Sequence, residues 1–292
     1  MSAPILCPAR HRLLLVSDVD LPSSASLAEH FLQTPSLSSL TLDALIMAGN
    51  CASDPADDRL PSAEEDAAQI GSLTCLLSQL ENIVCRVLYV PGDRDPFMIR
   101  NPTATAPRLT PNSRNLLKSY LKVSYKLSAV GACEPLSPSC LSSSSPDGID
   151  SDDDEDLVEQ QQREARDRFR HDVQELVRGG EEDSRKPRLP DSAGPQQSIL
   201  VTSLRRGSAK DNPLVEYLQT EAAQRQHLLH VASLGTEEKL DASVGDVRLV
   251  VPGSLSKRGD FALVELRREG ERWRVDSVEF MTVGGSKGSR RV

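Results

Sequence analysis

The stretch from Val87 to Pro96 limits the possible folds of this chain more than any other part of its sequence. Its first four residues are largely apolar and lead into Pro91-Gly92-Asp93-Arg94-Asp95, so we predict a buried strand that ends in a charged loop. Open α/β sheets bind ligands where such loops leave the carboxyl edge of parallel strands. The stretch therefore predicts either a functional loop or an ordinary turn with solvated charges.

Two earlier segments, 12–20 and 42–50, share this design of an apolar run that ends in polar residues. Apolar residues at helical spacing predict helices at 23–31 and 62–81, between the three strands. Strands and helices that alternate in this way indicate a parallel sheet with right-handed crossovers.

Polar side chains gather at the predicted ends of the first two strands. Asp18 and Asp20 end the first strand, and on an extended backbone they would point the same way and could share one cation. A strand end capped by Asp explains the same pattern without a metal. Asn50 ends the second strand, and Asp54 lies in the loop that follows.

The rest of the sequence predicts a second set of strands and then a hairpin. Helices are predicted at 157–178 and 212–225. The segments 260–266 and 273–280 alternate apolar and polar residues across a charged turn, which is typical of a β-hairpin. Apolar runs predict the other strands, at 120–123, 127–130, 198–203, 227–233 and 247–255.

Residues 136–156 interrupt this pattern with serines, prolines and an acidic block at 152–156. Low hydrophobicity and dense like charge cannot offset chain entropy, so we expect a disordered insertion within a single domain of residues 1–292. The acidic block suits either a solubilising tract or regulated binding to a basic partner. The Gly-, Ser- and Arg-rich residues 284–292 are expected to form a flexible tail.

The composition narrows the classes of function. A formal net charge of −9, with five Phe, four Tyr and one Trp, argues against a nucleic-acid partner. No apolar run approaches the roughly 20 residues that cross a bilayer, and residues 1–12 lack a signal-peptide core, so we expect no membrane association. The six cysteines include no Cys-x-x-Cys pair, which favours a reducing, cytoplasmic location.

Several motifs together resemble the calcineurin-like metallophosphoesterase superfamily. Residues 251–255 (VPGSL) and 259–266 (GDFALVEL) are similar to the N-P-G-S and G-x-F-A-L-V-E-L ending of many such enzymes. Residues 17–20 (SDVD), 49–50 (GN) and 91–96 (PGDRDP) stand beside the superfamily's S-D-x-H, G-D-x-x-D and P-G-N-H-D-P motifs. The resemblance implies an α/β, metallophosphoesterase-like four-layer sandwich, in which two mixed sheets are flanked by helices.

In this superfamily the strand-end loops converge on two divalent metals that activate a water for attack on phosphorus. The resemblance assigns Asp18 to the first acidic ligand and places Asp20 where a His ligand is expected. Asn50 takes the place of the bridging Asp but lacks its negative charge, and Ser53 takes the place of the next Asp. The candidate metal ligands are therefore Asp18, Asp20, Asn50, Asp54 and Asp93.

The imidazole ligands of the superfamily have no counterpart at the aligned positions of this sequence. Arg94 stands where a His resembles a general acid, so it is the candidate substrate-binding residue. Ser203, Leu234 and Thr236 replace other His ligands, while His230 matches a superfamily His that fits either strand packing or ligation. Losing the bridging acid together with every imidazole should abolish a two-metal centre, which implies a divergent member with a degenerate metal site.

Two functions fit these observations. The first is a catalytically inactive binding or scaffold protein, a pseudoenzyme with an unknown protein partner and no cofactor. In such a protein Arg94 either binds a phosphate or carboxylate or pairs internally with Asp18 or Asp20. The alternative is an active phosphohydrolase for phosphomonoesters or phosphodiesters, with one oxygen-rich Mg²⁺ or Mn²⁺ site to which Asp95 also contributes. A resemblance to the inactive phosphoesterase-like small subunits of replicative DNA polymerases is poorer, because the C-terminal motifs match ordinary phosphoesterases better.

Overall fold

A computed structural model describes residues 10–21, 25–34, 37, 40–52, 62–92, 94–96, 99, 109–117, 119–124, 126–133, 197–204, 227–235 and 237–283. The strands in these ranges form two six-stranded mixed sheets. An apolar cluster drawn from both sheets lies between them, so the sheets pack as a sandwich.

The first sheet contains the predicted βαβαβ series and is extended by the C-terminal hairpin. From β1 to β4 the strands are parallel, β11 is antiparallel to β1, and β12 is antiparallel to β11. The order across the sheet is β12-β11-β1-β2-β3-β4. These strands are β1 (Arg10–Ser17), β2 (Ala44–Gly49), β3 (Val87–Pro91), β4 (Ser113–Asn115), β11 (Asp260–Glu269) and β12 (Arg272–Thr282).

The second sheet has a parallel centre and antiparallel edges, in the order β5-β6-β7-β8-β10-β9. Parallel pairing joins β6, β7, β8 and β10, while β5 and β9 pair antiparallel with their neighbours. The strands are β5 (Tyr120–Ser124), β6 (Leu127–Cys133), β7 (Gln197–Ser203), β8 (His227–Ser233), β9 (Leu240–Val244) and β10 (Val247–Val251).

Two helices cover the outer face of the first sheet, α1 (Ala25–Leu32) and α2 (Ala63–Leu80). The predicted capping box is present at the start of α2. Its Ser62 hydroxyl accepts the backbone N–H of Glu65, and the Glu65 carboxylate accepts the backbone N–H of Ser62 at 2.7 Å. A third helix of four residues, α3 (Leu255–Arg258), follows β10.

The apolar run of β1 is continuous because both faces of this strand are covered. Leu14 and Val16 join the cluster beneath the helices, whereas Leu13 and Leu15 join the cluster between the sheets. All four side chains are buried. A third cluster lies on the outer face of the second sheet and includes Leu200.

The two mixed sheets confirm the predicted α/β sandwich of two sheets, with three differences in detail. The sequence analysis did not predict β4 or β9. The segment expected as one strand over 247–255 ends as a strand at Val251 and then turns into α3. The first strand was expected to reach Asp20 but ends at Ser17, because Asp18 leaves the extended conformation.

Several predicted features lie outside the described residues: the insertion at 136–156, the helices at 157–178 and 212–225, and the tail at 284–292. The single-domain boundaries therefore stay a prediction. Within the part of the chain that the structure describes, no helix is long and apolar enough to cross a bilayer.

Candidate functional site at the carboxyl ends of the strands

The candidate site lies where the loops after β1, β2 and β3 meet the end of β8. The N–H of Asp18 continues the parallel pairing of β1 with β2 by donating to the carbonyl of Ala48 at 3.0 Å. The hydroxyl of Ser233, the last residue of β8, donates to Oδ2 of Asp18 at 2.7 Å. The side chain of Asp18 therefore joins the two sheets at this edge.

Asp18 is a buried carboxylate whose two oxygens accept hydrogen bonds from the protein. Oδ2 accepts from Ser233, and Oδ1 accepts the backbone N–H of Asn50 at 3.3 Å. Burial raises the pKa of Asp18 to about 6, although these hydrogen bonds and the charge of Lys257 act in the opposite direction. The surroundings of Asp18 therefore favour a neutral acid more than water does.

Asp20 is also buried, but its hydrogen bond to Ser256 leads away from Asp18. Its Oδ2 accepts the hydroxyl of Ser256, on α3, at 2.7 Å, and its backbone N–H donates to the carbonyl of Asn50 at 3.1 Å. Asp18 and Asp20 both have positive φ angles, 46° and 50°, so the extended backbone on which they were expected to share a cation is absent. Their carboxylates contact different elements of the fold.

Asn50 connects the loops after β1 and β3. Its backbone N–H donates to Asp18, and its side-chain oxygen accepts the backbone N–H of Arg94 at 3.3 Å. The approach depends on Gly92, because a Cβ atom at that position would lie 1.9 Å from Oδ1 of Asn50. Gly49 makes room in the same way, since a Cβ there would lie 2.3 Å from Oδ1 of Asp18 and 2.4 Å from Oγ of Ser233.

Asp95 holds the loop after β3 in place. Its carboxylate is fully buried and accepts backbone N–H groups from Cys51 at 3.0 Å, Ala52 at 2.7 Å and Gly92 at 2.8 Å. A carboxylate that accepts several backbone N–H groups fixes loop geometry. The sequence analysis treated Asp95 only as an additional metal ligand and missed its role in holding this loop. The available signal was the Pro-Gly turn directly before it.

The remaining candidates are distributed as follows. Arg94 lies half-buried on the loop after β3, beside Asn50, and its role in substrate binding stays a prediction. Asp54 and Asp93 lie outside the described residues, so their predicted ligand roles also stay predictions. Ser203 ends β7 and is paired in register with Ser233, while Leu234 belongs to the outer cluster of the second sheet.

Ser233 is the site residue that sequence reasoning missed. It was assigned only to a strand, yet it supplies the hydrogen bond that connects β8 to Asp18. Its sequence signal was a hydroxyl at the end of an apolar strand, the place where parallel sheets present polar groups.

The two histidines of β8 hydrogen-bond to hydroxyls of β7. His227 contacts Ser198 at 2.7 Å, and Nε2 of His230 contacts Oγ1 of Thr202 at 2.8 Å. Burial lowers the pKa of His227 to about 4 and the pKa of His230 to about 3, so both imidazoles are neutral at pH 7. These contacts fit strand packing, the first of the two roles expected for His230.

The described residues do not fit the two-metal centre that the resemblance implies. Among them, no group of three or more His, Cys, Asp or Glu side chains is placed to hold a metal ion. The donors present are the carboxylates of Asp18 and Asp20 and the amide of Asn50, and both oxygens of Asp18 already accept protein hydrogen bonds. Two close cations need several anionic ligands, including one that bridges them, and this set lacks a bridging acid.

Two mixed sheets that meet in a sandwich, with polar strand-end loops along one edge, define the α/β fold of the calcineurin-like metallophosphoesterases. The crystal structure of the calcineurin-like phosphoesterase YfkN from Bacillus subtilis has this fold. It matches the chain with a TM-score of 0.51 and 7% sequence identity, over 97% of this chain and 93% of that chain. At this identity the match shows the fold alone.

Two other solved structures match at lower TM-scores. GAP50, the anchor in the inner membrane complex of Plasmodium, has a TM-score of 0.44 and 12% identity, over 96% of this chain and 91% of that chain. Vps29 from Chaetomium thermophilum has a TM-score of 0.35 and 10% identity, over 94% of this chain and 97% of that chain. No protein-family model matches the sequence, and no curated protein sequence matches it significantly.

Proposed function

We propose that this protein is a catalytically inactive member of the metallophosphoesterase fold that acts as a binding or scaffold protein. The observation that carries the proposal is the hydrogen bond from the Ser233 hydroxyl to Oδ2 of Asp18. In the superfamily that the sequence resembles, the acid at this position holds a metal. Here the hydroxyl of Ser233 hydrogen-bonds to that carboxylate.

The protein supplies its own hydrogen-bond donors to the Asp18 carboxylate. A carboxylate that holds no cation depends on such groups for the stabilisation of its charge. The buried position of Asp18 acts in the opposite direction and raises its pKa to about 6. The hydrogen bonds from Ser233 and Asn50 offset part of this effect, because they favour the charged form.

The experiment is a measurement of bound metal on the purified full chain. We expect elemental mass spectrometry to find no stoichiometric Mn²⁺, Mg²⁺ or Zn²⁺, and we expect none of these ions to raise the midpoint of thermal unfolding. A ligand that binds only the folded state raises that midpoint by mass action, so the titration is sensitive to a tight site. The Asp18→Asn variant, measured in parallel, should respond to the ions as the wild-type chain does.

The competing function is a metal-dependent phosphohydrolase with a single Mg²⁺ or Mn²⁺ bound by Asp18, Asp20, Asp54 and Asp93. The positive φ angles of Asp18 and Asp20 favour it, because strained non-glycine backbone is concentrated at functional sites. Stoichiometric metal that is lost in Asp18→Asn, together with hydrolysis of a phosphate ester that the same substitution abolishes, would establish this function and reject the inactive one.

The location and the partner are further parts of the proposal. We place the protein in the cytoplasm, where thiols stay reduced. The cysteines within the described residues, Cys51, Cys75, Cys85 and Cys133, are all free thiols, which supports a reducing compartment. The partner is proposed to be a protein rather than a membrane or a nucleic acid, in keeping with the net charge of −9.

A further inference from the structure

Three arginines stand side by side on the outer face of the first sheet. Backbone register pairs Arg10 of β1 with Arg267 of β11, and Arg267 with Arg274 of β12. Directly paired residues project to the same face of a sheet, with Cα atoms about 5 Å apart. These three residues are called the arginine row below.

The arginine row lies beyond the helices that cover this face. Leu14 and Val16, on the same side of β1, pack under the helices, whereas Arg10 at the start of the strand is exposed. The side chain of Arg267 is 46% exposed and that of Arg274 is 71% exposed. The row is therefore accessible to a partner.

Like charges on neighbouring strands destabilise a sheet unless counter-charges offset them. Two carboxylates supply part of this counter-charge. Glu269 contacts Arg267 at 3.0 Å and Arg274 at 3.2 Å, and Asp276 lies 3.4 Å from Arg267. Arg10 forms no ion pair with any residue that the structure describes.

The surroundings of the row retain positive charge. The same face carries Arg12 and Arg272, while its acids are Glu265, Glu269, Asp276 and Glu279. Five guanidinium groups against four carboxylates leave an excess of one positive charge on a chain whose net charge is −9. This face therefore differs in sign from the chain as a whole, and complementary charges steer association.

We propose that the arginine row is a docking surface for an acidic peptide segment of a partner protein. Guanidinium groups bind carboxylates through two parallel N–H···O hydrogen bonds, and Glu269 already uses both of its oxygens on this row. In an extended peptide, alternate residues share one face at a spacing of about 7 Å, so alternating carboxylates reach neighbouring arginines.

An acidic peptide suits this surface better than a nucleic acid does. Proteins that bind single strands combine basic grooves with aromatic side chains on which bases stack. The aromatic residue beside the row is Trp273, and it is buried on the opposite face of β12, stacked on His11. Asp18 follows the opposite end of β1, so this inference does not depend on whether the candidate site holds a metal.

Fluorescence anisotropy with the full chain tests the proposal. The probe is a labelled ten-residue peptide of alternating Glu and Ser, and its control is the same peptide with Gln in place of Glu. We expect the Glu peptide to bind and the Gln peptide not to bind, with affinity falling as salt is added. Arg10→Gln/Arg274→Gln should weaken binding about tenfold, because it removes two exposed guanidinium groups that pair with the peptide carboxylates.

Two further variants separate docking from a general loss of charge or fold. Arg258→Gln removes an exposed arginine of α3 that is paired with Glu237, and it should bind the Glu peptide as the wild-type chain does. Glu269→Gln removes a carboxylate that occupies the row and should strengthen binding, which misfolding cannot imitate. Equal binding of both peptides, no binding at low salt, unchanged affinity in the double variant, or tighter binding of a single-stranded oligonucleotide would each overturn the proposal.

Discussion

The side-chain amide of Gln197 hydrogen-bonds to both backbone groups of Trp273. Its Oε1 accepts the N–H of Trp273, and its Nε2 donates to the carbonyl of Trp273 at 3.1 Å. Gln197 begins β7 in the second sheet, and Trp273 lies on β12 at the edge of the first. The Gln197 amide thus pairs with backbone groups that a further strand would otherwise bind at this edge of the sheet. It also connects the two sheets.

We expect Gln197→Ala to lower the free energy of unfolding by roughly 2 kcal/mol, because it removes two hydrogen bonds at a partly buried position. Urea denaturation followed by circular dichroism measures the change. Gln197→Glu is the matched control: it keeps the acceptor for the Trp273 N–H but places an anionic oxygen against the carbonyl. A stability equal to wild type in Gln197→Ala would mean that the bridge contributes nothing.

Gly49→Ala should destabilise the protein by more than about 3 kcal/mol, because a Cβ would overlap Asp18 and Ser233 on a backbone with φ of 88°. Gly71→Ala provides the comparison. Gly71 lies within α2, where a Cβ would contact nothing within 4 Å, so this change should raise the free energy of unfolding by about 0.5–1 kcal/mol. Thermal unfolding of the two variants should therefore shift in opposite directions from wild type.

Asp18→Asn should raise the free energy of unfolding at pH 7.5 by about 1–3 kcal/mol, because it removes a charge that burial disfavours. Ser233→Ala should lower it by about 1–3 kcal/mol, since Oδ2 of Asp18 then loses its hydroxyl donor. Chemical denaturation of both single variants and the double variant gives their coupling energy. Additive effects would show that the two side chains do not interact.

Acid should destabilise the protein through His227 and His230. The unfolded chain binds protons on both imidazoles near pH 6.5, whereas the folded chain binds them only near pH 4 and pH 3, respectively. The contribution of these two histidines to the free energy of unfolding is fully present above pH 6.5. It falls as the pH drops below 6.5, by on the order of 3 kcal/mol for each residue. Denaturation curves between pH 7.5 and pH 4.5 measure this loss.

Variants assign the acid sensitivity to these residues. His230→Gln should flatten the pH dependence, and His30→Gln, at an exposed position of α1, is the control measured beside it. Asp18 acts with the opposite sign between about pH 6 and pH 3.8, because there the folded state binds the additional proton. The comparison is therefore made in an Asp18→Asn background, and an unaltered slope in His230→Gln would contradict the assignment.

The elements of the fold could be predicted from the sequence wherever burial produces a local pattern. The strand over 227–233 was predicted with the bounds that the structure shows, and the hairpin and α2 were predicted to within a few residues. The short strand β4 gave no such pattern, because its three residues are polar and its pairing with β3 is entirely non-local. The end of β1 was misplaced because a positive φ at an Asp leaves little local signal.

The sequence likewise predicted the positions of some residues of the candidate site but not their contacts. The sequence placed Asp18, Asp20 and Asn50 at strand ends, since an apolar run followed by polar residues is visible along the chain. Which groups these side chains contact was not visible, because Ser233 is 215 residues from Asp18 and meets it only when the two sheets pack together. The roles of Asp95 and Gln197 likewise depend on hydrogen bonds between distant segments.

By itself, the sequence determined the α/β class, the order of most of the described strands and the absence of the superfamily's imidazoles from the aligned positions, because residue type and periodicity are local properties. Only the tertiary structure decided that the Asp18 carboxylate is bound by the protein's own donors and that three arginines form one row across β1, β11 and β12. Both depend on strand register and sheet packing, which bring together residues that are far apart in the chain.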